Sequence, residues 1–206
     1  YLYVPKEMPE TSNRLFNNHL VNQILPLIVA SQGRAFILST SIKAMNEITS
    51  LLRDEFEKNN ITYPILTQGT SSKTKLLEQF KDHGNSILIG SLSFWEGIDV
   101  RGSNLSLVII DKLPFQSPGD PIFESKINML TAKGINAFMT FQLPKAIISF
   151  KQGAGRLIRD EMDKGVLMIC DQRIVSKPYG SKFWRSLPDF KRTREKDDVI
   201  EFLKHL

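Results

Sequence analysis

The chain has 206 residues, of which 41% are hydrophobic and 24% charged, as is ordinary for a globular protein with one main domain. It contains no apolar run near the roughly 20 residues that a membrane-spanning helix needs, and its polar first residues do not form a signal peptide. Cys170 is the only cysteine, which excludes an internal disulfide or a cysteine-rich metal site within this chain and predicts a reducing, cytoplasmic environment.

Most of the net charge of +5 comes from one segment near the C-terminus. Between positions 177 and 196 there are seven basic side chains and two acidic ones. Such a segment favours contact with phosphates or with an acidic partner, although a solvated basic surface explains the charge equally well.

Apolar spacing predicts helices that alternate with short strands. The predicted elements, in chain order, are helix 12–30, strand 34–39, helix 42–58, strand 64–67, helix 72–81, strand 86–91, strand 105–111, helices 120–133 and 138–150, strand 166–171 and helix 198–206. Within the first helix, Pro26 should cause a kink or an early end.

The predicted strands are apolar throughout, so we expect both faces of the sheet to be buried. This pattern indicates an α/β fold in which a parallel sheet has helices on both faces. Binding sites in such sheets lie at the carboxyl ends of the strands. Polar or glycine-rich segments follow three strands here, at 39–41, 67–69 and 91–102.

The strongest chemical motif combines Gln152, Gly155, Arg156 and Arg159. Two arginines three residues apart share one face of a helix, and guanidinium groups bind phosphate oxygens as a planar fork. An arginine in this role stabilises the charge that develops during phosphoryl transfer. The alternative is a helix end with two exposed arginines.

A second candidate segment, 90–102, directly follows a strand. Its Asp99 can bind a hydroxyl or a cation and its Glu96 an arginine, while Ser91 and Ser93 can contact phosphates. Phe94 and Trp95 can stack on a base, but large aromatic side chains more often pack in the core.

Two other kinds of site are not supported. The segment 69–74 is not a Walker A loop, because Ser72 stands where a glycine must precede the lysine. The three histidines are far apart and have no cluster of ligand-type residues around them, so we expect no metal site.

In this order and spacing, these segments resemble the DinG/XPD family of superfamily 2 DNA helicases, and within it the bacterial DinG-like branch. The resemblance extends from the first residues to about position 180. It is carried by residues 3–9, 35–41, 68–69, 90–102, 110–115, 151–159 and 171–173.

The resemblance implies a RecA-like parallel sheet of the P-loop NTPase type, the second domain of a DNA helicase. It implies an arginine finger at Arg159, supported by Arg156 and Gln152. The remaining residues fall into two groups by this resemblance. ATP binding would involve Glu96, Gly97, Asp99 and Gly155, and single-stranded DNA would contact Ser39, Thr40, Gln68, Ser91 and Ser93.

The resemblance also implies that this chain is half of a shared site. ATP and Mg²⁺ would be bound jointly with an N-terminal helicase domain, and that domain would hold any iron–sulfur cluster. The chain alone should then be inactive, while the complete protein should move along single-stranded or forked DNA in repair or replication. A non-catalytic module that binds nucleic acid or protein is the alternative.

We expect a helicase domain at 1–188 with a helical insertion at about 118–150, followed by a basic tail with a short helix at 189–206. The tail either packs back on the domain or docks a replisome protein associated with the clamp loader, as the resemblance to replisome-associated helicases implies.

Overall fold

The computed structural model describes residues 1–91, 94, 105–116, 119–155 and 164–206 of the chain. The strands are β1 (Leu2–Tyr3), β2 (Ala35–Ser39), β3 (Ile65–Thr67), β4 (Ile87–Ser91), β5 (Leu107–Ile110), β6 (Val166–Ile169) and β7 (Arg192–Thr193). The helices are α1 (Phe16–Ala30), α2 (Ile42–Lys58), α3 (Lys73–His83), α4 (Pro121–Ala132), α5 (Leu143–Ala154), α6 (Arg173–Ser176), α7 (Gly180–Trp184) and α8 (Lys196–Lys204), with a π-helical turn at Phe138–Gln142 before α5.

These strands form one sheet in the order β3-β4-β2-β5-β6-β1-β7, and each described pair is parallel. All residues of the central strands β2, β4, β5 and β6 are buried, as apolar strands covered on both sides require. The predicted α/β fold with a parallel sheet is confirmed.

The side chains of alternate residues in each strand pack into two separate hydrophobic cores, one on either face of the sheet. Ala35 and Ile37 of β2 pack toward α1, α2 and α8, whereas Phe36 and Leu38 pack toward α3, α5 and α7. Because side chains alternate across a strand, a polar residue at a strand end can be assigned to one of these two faces.

Helix α2 has the bounds that its sequence predicts. Ser41 caps its first turn, because the Ser41 Oγ accepts a hydrogen bond from the Ala44 amide at 3.1 Å. Buried Met45, Ile48 and Leu52 form one helical stripe against the sheet.

Helix α1 ends at Ala30 as predicted, but it begins later than predicted and Pro26 does not end it early. It begins at Phe16 rather than at position 12, after a turn in which the Asn13 Oδ1 accepts from the Leu15 amide. It is not shortened at Pro26 and continues to Ala30. The fully buried Leu27 and Ile28 explain this, since their packing outweighs one lost backbone hydrogen bond.

The segment before the arginine motif is helical, consisting of α4, the π-helical turn and α5. Asp120 caps α4 by accepting from the Ile122 and Phe123 amides. Leu143 is buried in the core, and the partly buried Phe138 ring stacks on Phe115 at 5.6 Å and packs against that core.

The last residues of the chain pair with its first ones. Strand β7 lies beside β1, and α8 buries Val199 and Leu203 in the core that contains α1. The Arg194 guanidinium also donates to the carbonyl oxygens of Val4 and Pro5 at 3.3 Å. The tail therefore adds a strand to the edge of the sheet.

Candidate functional site

Four polar residues form a row along the carboxyl edge of the sheet. Thr67, Ser91 and Ser39 end the adjacent strands β3, β4 and β2, and Asp111 directly follows β5. Ser39 and Ser91 are direct register partners. By strand alternation, all four side chains lie on the face that α1 and α2 cover.

Two hydroxyls of this row have no hydrogen-bond partner among the described residues. They are Ser39 Oγ and Thr67 Oγ1, and both are buried. A buried hydroxyl without a partner lowers stability by about 1–3 kcal/mol, and such groups in native proteins often mark a functional site. Both hydroxyls therefore lie just beneath this edge with hydrogen-bonding capacity that the described residues do not use.

Gln68 connects two strand ends at the same edge. The Gln68 Oε1 accepts a hydrogen bond from the Ser91 backbone amide at 2.7 Å. The Gln68 backbone amide donates to the Ile89 carbonyl oxygen at 2.9 Å. The side-chain oxygen of Gln68 is thus bound, while its side-chain nitrogen carries two further donors.

Asp111 holds the loop after β2 in place. Its carboxylate accepts from the Thr40 amide at 3.0 and 3.1 Å and from the Thr40 hydroxyl at 3.3 Å. Burial raises the pKa of the Asp111 carboxyl from 3.8 to about 7, although hydrogen bonds from the Thr40 and Lys112 amides act to lower it. The position of Thr40 therefore depends on a buried, weakly acidic group.

Asp171 performs a similar function one strand further along. It is fully buried after β6 and forms an ion pair with Arg173, whose Nη2 lies 2.6 Å from the Asp171 Oδ2. The same oxygen accepts from the Leu113 amide at 2.8 Å, which joins the loop after β5 to the loop after β6. Neither Asp111 nor Asp171 was predicted as a site residue, although both follow apolar strands in segments that carry the family resemblance.

Helix α5, which contains Gln152 and ends at Ala154, reaches this edge on the opposite face of the sheet. A Cβ atom at Gly153 of α5 would lie 3.7 Å from side-chain carbons of Leu38 and Ile110, which are at the ends of β2 and β5. Gln152 is exposed, and the Gly155 amide closes the helix by donating to the Lys151 carbonyl oxygen at 2.8 Å. Gln152 and Gly155 thus flank a helix position, Gly153, that lies against the ends of β2 and β5.

Some of the predicted site residues cannot be placed. The predicted site residues that lie outside the described residues are Ser93, Glu96, Gly97, Asp99, Arg156 and Arg159. Trp95, the second aromatic residue of segment 90–102, also lies outside them. The described ones are Ser39, Thr40, Gln68, Ser91, Gln152 and Gly155, and the structure brings them all to the carboxyl edge. Phe94 is 8% exposed and lies against Gly90, so this ring packs in the core.

The described residues contain no group of three His, Cys, Asp or Glu side chains that could hold a metal ion. Over the same ranges, no helix is both long and apolar enough to cross a membrane.

The chain is similar to bacterial helicases along almost its whole length. It is 46% identical over 204 residues to the ATP-dependent DNA helicase YoaA of Haemophilus influenzae and 45% identical over 202 residues to that of Escherichia coli. These matches cover 99% and 98% of this chain but only 31% of either relative. The ATP-dependent helicase DinG of Mycobacterium tuberculosis is 36% identical over 186 residues, 90% of this chain and 27% of that relative.

The fold is also that of solved helicase domains. An apo XPD structure matches 93% of this chain and 39% of its own with a TM-score of 0.70 at 22% identity. The C-terminal domain of the DEAD-box protein Dbp5 matches 100% of this chain and 96% of its own with a TM-score of 0.55 at 14% identity. The helicase C-terminal domain family matches residues 24–190, so the chain belongs to that family.

Proposed function

We propose that the complete protein is an ATP-dependent DNA helicase of DNA repair or replication. This chain would be its second RecA-like domain, which helps to couple ATP hydrolysis to translocation on single-stranded DNA. One observation carries the proposal: along 204 of its residues the chain is 46% identical to a relative named ATP-dependent DNA helicase. A Bacillus subtilis relative named 3′–5′ exonuclease is 34% identical and is matched over 22% of its length.

In this proposal the strand passes along the row of polar side chains at the carboxyl edge. Ser39, Thr40, Gln68 and Ser91, together with Ser93, would donate hydrogen bonds to backbone phosphates. The Ser39 hydroxyl, unpartnered among the described residues, and the Gln68 side-chain nitrogen, whose amide oxygen is already bound, support this, because a phosphate oxygen supplies an acceptor for each of them. Contacts of this kind do not depend on sequence, as translocation requires.

ATP would bind where α5 ends, together with an N-terminal domain that supplies the phosphate loop and holds Mg²⁺. The exposed Gln152 and the helix end at Gly155 fit this role, because the neighbouring Gly153 lies against the ends of β2 and β5. Arg159 would be the arginine finger, with Arg156 beside it. Glu96, Gly97 and Asp99 would complete this chain's side of the nucleotide site. Bound ATP supplies the free energy of hydrolysis, and Mg²⁺ neutralises the phosphate charge.

Unwinding of a forked DNA duplex by the full-length protein tests the proposal. We expect strand separation that requires ATP, and we expect Arg159→Ala to abolish it while leaving DNA binding in place. Lys58→Ala is the matched control, since Lys58 pairs with Glu55 on the exposed side of α2. Protein that binds DNA and separates no strands with ATP would contradict the proposal.

The second candidate is a non-catalytic module that binds nucleic acid or protein with the same fold, since fold alone does not fix function. The sequence preceding this chain in the complete protein discriminates between the two. A Walker A motif there supports the helicase, and four spaced cysteines would add an iron–sulfur cluster to it. This chain, with one cysteine, has no four-cysteine cluster site of its own.

We also propose that the protein acts in the bacterial cytoplasm and docks a replisome protein, associated with the clamp loader, through its basic C-terminal region. Exposed Lys182 and Lys191 support an acidic partner surface. Deleting the tail would remove β7 and α8 from the fold, so charge reversal is the better test. We expect Lys182→Glu with Lys191→Glu to weaken capture of clamp-loader proteins at least about tenfold without loss of unwinding, and unchanged capture would contradict this docking.

A further inference from the structure

A groove of about 640 Å³ lies between helix α2 and the loop that follows β3. Its volume falls within the range of roughly 300–1,000 Å³ that is usual for small-ligand sites. One wall consists of Gln68, Gly69 and Thr70, so the groove opens directly from the edge along which the strand is proposed to pass.

The other wall is one stripe of α2. Ile42, Asn46, Ser50 and Arg53 follow one another at spacings of three or four residues, and they line the groove together with Met45. Ile42 is 50% exposed although it is apolar, whereas Met45 is buried and forms the floor. The stripe thus offers an apolar surface at its N-terminal end and polar groups beyond it.

One polar group in the groove is buried and unsatisfied by the described residues. Thr67 lines the groove, is 5% exposed and directs its side chain toward α2, on the same face as Ile65. Its Oγ1 makes no hydrogen bond within the described part of the chain. An occupant that hydrogen-bonds this hydroxyl would relieve the cost of burying it.

The mixture of groups favours a nucleobase over a phosphate. A phosphate needs donors and positive charge, but here the groove is lined by the acidic Asp54 as well as by the basic Arg53. Arg53 donates, Asp54 accepts, and Asn46 does both, as the polar edge of a base requires. The flat face of a base would pack on the exposed side chain of Ile42, above the buried Met45.

We propose that this groove takes one unstacked base of the single strand, whose backbone lies along the carboxyl edge. Asn46 and Arg53 bind the polar edge of the base, together with the Thr67 hydroxyl. The inference rests on the proposed function and adds a base-binding residue set that lies outside the segments carrying the family resemblance.

Scanning an oligonucleotide with a single abasic site tests the groove in the full-length protein. Fluorescence anisotropy measures the affinity for single-stranded DNA in which each position in turn lacks its base. We expect one position at which the abasic site weakens wild-type binding at least about fivefold, the low end of what one base contact contributes. Asn46→Ala and Arg53→Ala should each reduce that position's penalty to less than twofold.

Lys58→Ala is the matched control, because it removes a positive charge from the same helix outside the groove and should keep the full abasic penalty. Asn46 and Arg53 are exposed on the helix and alanine favours helices, so both variants should remain folded, which circular dichroism checks.

The possible results separate the inference from the proposed function. Wild-type binding with no abasic-sensitive position, or a penalty that both variants retain, overturns the base groove and leaves the helicase proposal standing. If the only effect of Arg53→Ala is to reduce the slope of log affinity against log salt concentration by about one, as loss of one phosphate contact does, the groove binds the DNA backbone and the inference fails. Wild-type protein that does not bind single-stranded DNA overturns both.

Discussion

Asp111 is a buried carboxyl group whose ionisation opposes folding. Burial raises its pKa from 3.8 to about 7, so between these values the folded chain binds more protons at this group than the unfolded chain does. The contribution of Asp111 to stability is therefore present at about pH 4 and is progressively lost as the pH rises toward 7. The loss follows from desolvation, which the amides of Thr40 and Lys112 offset only in part.

Asp111→Asn should remove this pH dependence. We expect the free energy of unfolding of the wild-type chain, relative to the variant, to fall between about pH 4 and 7 by up to roughly 1.4 kcal/mol per pH unit. Urea titrations at several pH values measure it. Asp82→Asn, which removes an exposed carboxylate from α3, controls for the loss of charge alone. If the free energies of unfolding of the wild-type chain and of the Asp111→Asn variant change in parallel with pH, the pKa of Asp111 is not raised by folding.

Ser39 and Ser41 lie two positions apart and should respond to alanine with opposite signs. Ser39→Ala removes a buried hydroxyl that has no partner among the described residues, so we expect the free energy of unfolding to rise by about 1 kcal/mol. Ser41→Ala removes the cap of α2, so we expect a loss of about 1 kcal/mol. Thermal and urea denaturation of this chain measure both. If Ser39→Ala destabilises the chain as much as Ser41→Ala, the hydroxyl has a structural partner after all.

At the scale of elements, local pattern predicts what local interactions determine. Helix α2 has its predicted bounds because its cap and its apolar stripe are both encoded within the helix. Strands β1 and β7 were not predicted, because two residues show no periodicity and these strands form only by pairing across the chain. The contact between Thr40 and Asp111, which are 71 positions apart, could not be predicted for the same reason.

In the candidate site, too, the features that local sequence determines could be predicted, and those that depend on long-range packing could not. Ser39, Gln68 and Ser91 could be predicted as edge residues, since polar residues that follow apolar strands meet at the carboxyl edge of a parallel sheet. The base groove could not, because its two walls come from α2 and from the β3–α3 loop. Their separation depends on how the helix packs on the sheet, which local spacing does not give.

Two helical glycines, Gly153 of α5 and Gly180 of α7, have different surroundings and should respond differently to alanine. A Cβ atom at Gly153 would lie 3.7 Å from the nearest side-chain carbons, whereas one at Gly180 would lie 2.2 Å from the Ile174 carbonyl oxygen. We expect Gly153→Ala to raise the free energy of unfolding by up to about 0.5–1 kcal/mol, because alanine has a higher helix propensity than glycine and Gly153 lies in the last turn of α5. Gly180→Ala should lower it. Urea denaturation measures both, and a destabilised Gly153→Ala chain would show that α5 lies closer to the sheet.

At the scale of the whole molecule, the sheet separates two sets of groups that a helicase must couple. The proposed strand contacts lie on the α2 face of the carboxyl edge, and the helix end that precedes the arginine motif lies on the opposite face. Leu38 and Ile110 contact that helix end, and each is followed in the chain by a member of the polar row. A shift of α5 on nucleotide binding would therefore be transmitted to Ser39 and Asp111 through two strand ends.

The same arrangement predicts that this chain alone does not hydrolyse ATP. The segment 69–74 is not a Walker A loop, because Ser72 replaces the required glycine. Arg156 and Arg159 therefore have no bound phosphate to act on until another domain supplies the phosphate loop. We expect no ATP turnover by the purified 206-residue chain, with or without single-stranded DNA, whereas the full-length protein should turn over ATP when DNA is added. A coupled assay of released phosphate measures both, and full-length Arg159→Ala is the control for contaminating activity. Robust turnover by the isolated chain that Arg159→Ala abolishes would show that one domain holds a complete site.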